Sequence, residues 1–394
     1  MIYKLNNVIQ NYAWGSYTSL SSLFGFENLN NEPQAELWMG AHPNGCSKLA
    51  ELDITLAEYI KENSKSVLGD YTANRYGQLP YLFKVLAART PLSIQVHPNK
   101  RNSEIGFERE NAQGIALSAG NRNYKDLNHK PELVYAVTVY KAMNGFRPIM
   151  DIIALFDEVN IEVLSDDVAA LKQAPDSQGL KALFTNVLTL ADDKKDAVLE
   201  QLSRHYDRTD LSTNALQALE YSQNFANQYP GDNGVLAPLL LNIVELQPGE
   251  AMFLHAETPH AYVQGTALEI MASSDNVLRA GLTPKHIDVE QLIENTVFAS
   301  MEPEQLRLKP INREGYIHFP IPVDDFGFDI FNVTQEPQTI FTRSAEILMC
   351  IAGDATVESD TQSIHLNKGE SLFVSCDSPQ YQLKGTGQIA RVYN

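Results

Sequence analysis

The sequence contains few of the features that define secreted or membrane proteins. Its only three cysteines, Cys46, Cys350 and Cys376, are scattered and lack metal-ligand spacing, which indicates packed free thiols rather than a disulfide framework. No run of about 18 apolar residues occurs, so no transmembrane helix is expected. The start of the chain, "MIYKLNNVIQNYAWG", lacks a charged head followed by an apolar core. This pattern favours a cytoplasmic location.

Basic residues are also scarce. The chain has 30 lysines and arginines against 49 aspartates and glutamates, a formal net charge of −19. Because a field of that sign repels polyanions, neither a nucleic acid nor an anionic membrane is expected as a partner. A small phosphorylated substrate stays possible, since a few local cations outweigh a diffuse field that is screened over roughly 10 Å. The 394 residues provide room for two or three domains.

Hydrophobic periodicity divides the chain into β and helical parts. Residues 1–150 alternate short β segments with turns, apart from an inserted helix at "TLAEYIKEN". Leu180, Leu183, Phe184 and Val187 then follow helical spacing, which predicts a helical insert over 151–228. Strand character is predicted to return with "NQYPGDNGVLAPLLLNIVELQPGEAMF" and to continue to the C-terminus.

The β part contains an internal repeat. The segment "LQPGEAMFLHAETPHAY" aligns without a gap on "LNKGESLFVSCDSPQYQ", which lies 120 residues further along. The match predicts a strand, a tight glycine turn and a second strand, used in two related β units. His255 and His260 of the first copy are replaced by Ser375 and Gln380 in the second. A metal site, if present, therefore belongs to the first copy.

Polar side chains lie on one face of the strand in "LSIQVHPNK". Leu92, Ile94 and Val96 form an apolar face, and Gln95 and His97 share the opposite face. Two such side chains point the same way, as binding of one ion from a sheet requires. Taken alone, this pattern favours a hydrogen-bonded structural histidine.

Two further segments add candidate ligands. Glu132 follows Pro131 and begins the apolar run "LVYAV", and His260 lies in "TPHAYVQG". Together with Gln95 and His97 they offer one amide oxygen, two imidazoles and one carboxylate. When this set binds a divalent cation, the site keeps a net positive charge, which can polarise a carbonyl or hydroxyl oxygen. The ligand types fit zinc, iron(II) or manganese(II) and do not choose among them.

Several long motifs resemble one family. "PLSIQVHPNK", "NHKPEL", "PGEAMFLHAETPHAYVQG" and "EIMASSDNVLRAGLTPK" are similar to the signature segments of type I phosphomannose isomerases, as are "IQNYAWGS" and "AELWMGAHP". The resemblance implies a mainly β fold with an α insert. It comprises a cupin-type β-sandwich or jelly-roll catalytic domain over 1–150 and 229–310, a helical domain over 151–228, and a metal-free cupin-like β domain over 311–394. It also implies a zinc enzyme that interconverts mannose 6-phosphate and fructose 6-phosphate through a cis-enediol or enediolate.

The resemblance assigns roles to residues of this chain. It implies that one zinc ion is bound by Gln95, His97, Glu132 and His260. We expect His129 to aid ring opening, Lys130 or Asp275 to move the proton, and Arg279 to stabilise the enediolate or bind phosphate. The expected substrate contacts are Lys84, Ser93, Lys100 and Tyr262. A small sugar phosphate is the only partner expected, and the pattern permits a monomer without an obligatory protein partner.

Two other functions compete with this interpretation. An iron(II) cupin oxygenase would use a similar site, but the neutral Gln95 argues against it, because such sites more often use only histidine and carboxylate ligands. A sugar-binding cupin with a structural metal is the non-enzymatic alternative. Lys84, Lys130 and Arg279 argue against that reading, since a structural metal requires no anion pocket.

Overall fold

The computed structural model describes residues 1–394 and contains 21 strands. In chain order the strands are β1 (Ile2–Asn6), β2 (Val8–Gln10), β3 (Glu36–Met39), β4 (Lys48–Leu49), β5 (Ile54–Thr55), β6 (Tyr81–Ala88), β7 (Ile94–Val96), β8 (Glu132–Ala136), β9 (Tyr140–Phe146), β10 (Leu241–Leu246), β11 (Ala251–Leu254), β12 (His260–Ala272), β13 (Leu278–Gly281), β14 (Ile311–Arg313), β15 (Tyr316–Phe319), β16 (Gly327–Val333), β17 (Gln338–Phe341), β18 (Glu346–Glu358), β19 (Ser363–Asn367), β20 (Ser371–Val374) and β21 (Gln380–Tyr393).

Twelve α-helices accompany the strands, and none is long and apolar enough to cross a membrane. They are α1 (Ser19–Phe24), α2 (Leu56–Glu62), α3 (Ser64–Leu68), α4 (Asp70–Arg75), α5 (Lys100–Ala112), α6 (Ile149–Val159), α7 (Ser165–Gln173), α8 (Ser177–Leu188), α9 (Asp192–Ser203), α10 (Thr213–Gln228), α11 (Ala237–Leu240) and α12 (Val289–Glu294). Short 3-10 helices lie at Glu162–Leu164, Asn233–Leu236 and Pro303–Gln305.

The first β unit is a ten-stranded antiparallel sheet organised around β12. This long strand pairs with β6 and β8 along one half and with β7 and β9 along the other. The change of partners occurs at Gly265, whose φ is +121°. A Cβ at this position would lie 2.4 Å from the carbonyl oxygen of Val139, so only glycine allows the strand to bend here. The bend carries the strand from one layer of the sandwich to the other.

The second β unit forms an eleven-stranded sheet around β18 and β21. The 120-residue repeat is visible in the strands themselves, because β20 and β21 begin at the positions equivalent to the starts of β11 and β12. The tight turns also match: Gly249 has φ +93° and Gly369 has φ +90°. The N-terminal strand β1 joins this second sheet by pairing with β20.

The helices from α6 to α11 pack on the outer face of the first unit. Their apolar core includes Ile94, Val96, Leu278 and Ala280, which are 2% exposed or less. Ile94 and Val96 of the predicted apolar face therefore contact the helical insert, whereas Leu92 packs against a separate core cluster that includes Leu86 and Tyr262. The polar face of the segment turns inward. The domain boundaries at 150, 228 and 310 stay a prediction.

Two local expectations were wrong. Strand structure returns at Leu241 rather than near 229, because Asp232 accepts a hydrogen bond from the amide of Gly234 and begins a 3-10 helix that continues into α11. Helix α5 also lies within a segment that was predicted to be mainly β. Its buried residues are Ser103, Gly106 and Glu110, so it lacks the apolar stripe by which helices are recognised.

Candidate metal centre and active site

Three strands, β7, β8 and β12, bring the predicted ligands together. Gln95 lies in β7 and is directly opposite His260, the first residue of β12. His97 follows β7, and Glu132 is the first residue of β8. His97, Glu132 and His260 are each 2% exposed or less, and their ligand atoms all lie within 4.8 Å of one another.

The hydrogen bonds of both histidines leave Nε2 available. Nδ1 of His97 lies 2.9 Å from the carbonyl oxygen of Asn276, and Nδ1 of His260 lies 2.9 Å from that of Thr258. Since a carbonyl can only accept, each Nδ1 carries the proton and each Nε2 presents a lone pair. Nε2 of His97 is buried and has no hydrogen-bond partner. Such an orphaned nitrogen fits a metal ligand, because an unsatisfied buried polar atom is otherwise costly.

Glu132 lies at the centre of the cluster. Its two carboxylate oxygens lie 3.3 Å from Nε2 of His97 and 3.7 Å from Nε2 of His260. The ammonium of Lys130 is 3.2 Å away, and the hydroxyl of Tyr262 donates to the carboxylate at 2.5 Å. Burial alone raises the pKa of Glu132, but Lys130 and His97 outweigh that effect and hold it well below the usual range.

Burial acts in the opposite direction on the imidazoles. It lowers the pKa of His97 to about 4, with Lys130 adding to the effect, and it also lowers the pKa of His260. Both rings are therefore neutral near pH 7, the form that binds a metal. The amide of Gln95 donates from Nε2 to the Ser93 hydroxyl at 3.1 Å, which leaves its oxygen free. The donor set of one amide oxygen, two imidazoles and one carboxylate fits zinc.

A cavity opens beside the cluster. Its walls include Ser93, Gln95, Lys130, Tyr262 and Lys84. Five of the predicted site residues are thus brought together with the ligands Glu132 and His260 on one surface.

Lys84 does not lie free on this surface. Its ammonium is 2.9 Å from Glu269 and 3.5 Å from Glu36, and all three side chains are less than 10% exposed. Burial lowers the pKa of Lys84, but the two carboxylates outweigh this effect and raise it overall. Burial also raises the pKa of Glu269. Glu36 was missed by sequence reasoning, because it occupies a fully buried position in the strand sequence "ELWM", where nothing marks it as functional.

Arg279 lies in β13, directly opposite Gln95. Burial lowers the pKa of its guanidinium, and no acidic group counteracts the shift. The pKa of Lys285 is lowered by burial and then by the charges of Arg279 and Lys125. Lys125 was also missed from the sequence, where a single exposed lysine has no distinguishing signal.

Asp275 is not one of the residues that line the cavity, and its side chain is held by its neighbours. Its carboxylate is 3.4 Å from Nε2 of His42 and accepts a hydrogen bond from Asn44. Burial raises the pKa of Asp275, but the hydrogen bond and charge of His42 lower it overall. The contact with His42 was not predicted.

The structure does not bring His129 and Lys100 to the cavity of the cluster. Both line a separate cavity that also contains Asp325 of the second β unit. Nε2 of His129 lies 2.9 Å from Asp325, and the ammonium of Lys100 donates to the carbonyl of Leu127 at 2.9 Å. Neither side chain is oriented toward Glu132.

Comparison with known proteins agrees with this architecture. The family model for the catalytic domain of type I phosphomannose isomerase matches residues 2–149, that for the helical insertion domain matches 160–241, and the cupin domain of mannose-6-phosphate isomerase matches 316–394. The mannose-6-phosphate isomerase of Escherichia coli K12 is 47% identical over 394 residues, 99% of both chains. The human enzyme of that name is 34% identical over 406 residues, 95% of this chain and 94% of the relative.

Solved structures agree as well. A zinc-bound mannose 6-phosphate isomerase superimposes with a TM-score of 0.94 at 46% identity, covering 100% of this chain and 99% of the other. The apo form from Salmonella typhimurium gives the same TM-score, identity and coverage. The expected fold of a β catalytic unit, a helical insert and a second cupin-like unit is thereby confirmed. From its sequence, its fold and its buried ligand cluster, the chain belongs to the type I phosphomannose isomerase family.

Proposed function

We propose that the chain interconverts mannose 6-phosphate and fructose 6-phosphate, with one zinc ion bound by Gln95, His97, Glu132 and His260. The observation that carries this proposal is the buried cluster in which the unprotonated Nε2 of His97 faces the carboxylate of Glu132 and has no hydrogen-bond partner. A cation that accepts its lone pair removes the cost of leaving that nitrogen unsatisfied. Full-length relatives that carry this activity in their names support the assignment.

The reaction sets the chemistry that the site must provide. The sugar ring opens, a proton leaves the carbon beside the carbonyl, and a proton is returned to the neighbouring carbon. When bound, zinc supplies positive charge that stabilises a developing oxyanion or holds the sugar hydroxyls in place. Tyr262 orients the ligand set by donating a hydrogen bond from its hydroxyl to the carboxylate of Glu132. This contact assigns Tyr262 to positioning of the metal site rather than to direct recognition of the sugar.

Proton transfer is assigned to Lys130 or Asp275. Lys130 lies on the cavity wall beside Glu132, within reach of a sugar placed there. Asp275 is held in its ionised form by His42, so it acts as a base without a preceding deprotonation. His129 lies in the other cavity, with Nε2 on Asp325, and is less well placed to assist ring opening.

The substrate phosphate is assigned to the cations at β13. The guanidinium of Arg279 has no acidic partner, and Lys125 and Lys285 lie near it. Arginine binds phosphate oxygens through paired hydrogen bonds, which fixes the sugar beside Gln95. Ser93 completes the pocket beside Gln95. Lys84, which is already paired with Glu269 and Glu36, supports the cavity wall instead.

A coupled assay tests this function. The purified chain is given mannose 6-phosphate and formation of fructose 6-phosphate is followed before chelation, after chelation and after zinc is added back. We expect turnover that disappears with the metal and returns with it. Absence of turnover in the zinc-loaded chain would refute the isomerase proposal, and turnover in fully metal-free protein would refute the role of zinc.

A cytoplasmic, monomeric enzyme without an obligatory protein partner is also part of the proposal. All three cysteines are free, as a reducing compartment permits. Light scattering coupled to size exclusion should give a mass near the 43.9 kDa of one chain. A mass of twice that value would refute the monomer.

A further inference from the structure

The second β unit contains a cavity of about 620 Å³ that is separate from the metal centre. Arg391 and Asp329 lie on its wall. Two residues away on the same strands, Ile389 and Phe331 belong to the apolar core of this unit. Because alternate residues share a face of a strand, the cavity lies where that apolar interior ends. The volume is within the range of about 300–1,000 Å³ found for small-molecule sites.

The internal repeat relates this cavity to the metal centre. In the first unit Met271 of β12 lies opposite Glu132, and Lys130 precedes Glu132 by two residues. In the second unit Arg391, at the position equivalent to Met271, lies opposite Leu348, and Glu346 precedes Leu348 by two residues. The pairing on the other side of the strand gives a register shifted by two residues, because Leu254 lies opposite Glu132 and its counterpart Val374 lies opposite Glu346. In either register Glu346 lies at the strand end that carries Lys130 and Glu132 in the first unit, so the two cavities open at equivalent ends of the two β units.

Buried charges form the floor of the second cavity. The guanidinium of Arg391 donates from Nε to Glu346 at 2.8 Å and lies 3.4 Å from Asp329. Asp329 also contacts Nδ1 of His318 at 2.8 Å. Replacement of buried ion pairs by apolar residues is often neutral or stabilising, so stability alone does not account for them. These charges pair with one another and make one wall of the cavity polar.

Two guanidiniums at the rim have no partner. Arg313 and Arg343 are exposed and line the cavity, and neither forms an ion pair, although the chain carries 49 acidic residues. Glu314 is the one exposed carboxylate on the same wall. Tyr316, which stacks on Phe331 at 5.1 Å between ring centroids, adds an aromatic surface. Unpaired arginines fit a phosphate group, and an aromatic face fits the C–H surface of a sugar ring.

We propose that this cavity is a second binding site for a phosphorylated sugar, with the phosphate on Arg313 and Arg343 and the ring against Tyr316. The site binds its ligand without converting it. The interior of the second β unit is filled by its apolar core, which leaves no room for a metal centre like that of the first unit. Gln380 also occupies the position at which the first unit has the ligand His260. Binding here does not depend on turnover at the metal centre.

Equilibrium dialysis of the zinc-loaded full chain against an equilibrated mixture of mannose 6-phosphate and fructose 6-phosphate counts the sites. We expect two per chain, and one in the double variant R313A/R343A, in which the second site is weakened about ten-fold or more. R204A removes an exposed arginine that directly follows helix α9 and serves as the matched control, with two sites retained. Turnover at low substrate concentration should be unchanged in both variants, because the three arginines lie outside the metal centre.

Competition identifies what the second site recognises. Unphosphorylated mannose and inorganic phosphate should each displace the sugar phosphate only weakly. The proposal would be overturned by a count of one site in the unmodified chain or by two sites of undiminished affinity in R313A/R343A. It would also be overturned if mannose or inorganic phosphate displaced the ligand as well as unlabelled sugar phosphate does. Failure of the isomerase assay would refute the proposed function and leave the count of two sites intact.

Discussion

Replacement of Lys84 by methionine tests the buried charge network beside the metal centre. The variant removes one ammonium and leaves the carboxylates of Glu269 and Glu36 buried, 2.9 and 3.5 Å from the position of the lost charge. Loss of one partner from a buried ion pair destabilises a protein by about 3–5 kcal/mol. For a folding unit of roughly 150–250 residues, each kcal/mol lowers Tm by about 2–4 °C. We therefore expect a fall in Tm of roughly 6–20 °C for the zinc-loaded variant.

The pH dependence of this loss has a definite sign. Burial already raises the pKa of Glu269, and loss of Lys84 raises it further. A carboxyl whose pKa is higher in the folded state than in the unfolded state contributes stability below its unfolded pKa and loses it as pH rises through the folded value. The deficit of Lys84→Met should therefore be larger at pH 8 than at pH 5. Thermal melts followed by circular dichroism at the two pH values measure the difference.

Two further variants make the test specific. Lys84→Met/Glu269→Gln removes the charge together with one buried carboxylate, so its Tm should recover part of the loss. Lys61→Met changes an exposed lysine of helix α2 and should shift Tm by no more than about 2 °C. A Lys84→Met enzyme that melts like the unmodified chain but has a ten-fold higher KM would refute this reasoning, because Lys84 would then contact the substrate rather than neutralise its neighbours.

Three other predictions concern the metal centre and the catalytic groups. Glu132→Gln should lose zinc and turnover together, because it removes the central anionic ligand; retention of one zinc per chain by elemental analysis would contradict the ligand assignment. Arg279→Ala should abolish turnover with zinc content unchanged, whereas loss of zinc would show that Arg279 supports the metal instead. His42→Asn removes a contact that lowers the pKa of Asp275, so the acid limb of the kcat/KM profile should move to higher pH; an unmoved limb would argue against a catalytic carboxylate at Asp275.

The sequence predicted the architecture well where periodicity is strong. The spacing of Leu180, Leu183 and Phe184 identified the helical insert, and the repeat identified two related β units, because these patterns record which face of each element is buried. Helix α5 was not predicted from the sequence, because it packs through small and polar residues rather than through an apolar stripe. A Cβ at its Gly106 would lie 2.4 Å from the ring of Tyr124, so the close approach depends on glycine rather than on an apolar stripe.

The site was less predictable than the fold. The alternation in "LSIQVHPNK" indicated that Gln95 and His97 share a face, and their position opposite His260 follows from strand pairing. The spacing of the residues in this segment did not show that Asn99 caps the N-terminus of helix α5. The helix turns Lys100 away from the cluster. Contacts such as His42 with Asp275 join segments more than 200 residues apart, and one sequence carries no local signal for them.

The pairing of β1 with β20 affects the order in which the chain can fold during synthesis. Residues 2–4 leave the ribosome long before residues 372–374, with which they form hydrogen bonds. One edge of β1 therefore stays unpaired while the residues between these two strands are translated, a condition that promotes pairing with other chains. Pairing with β20 places β1 in the sheet of the second β unit, so loss of the residues from 371 onward would also expose the edge of β1.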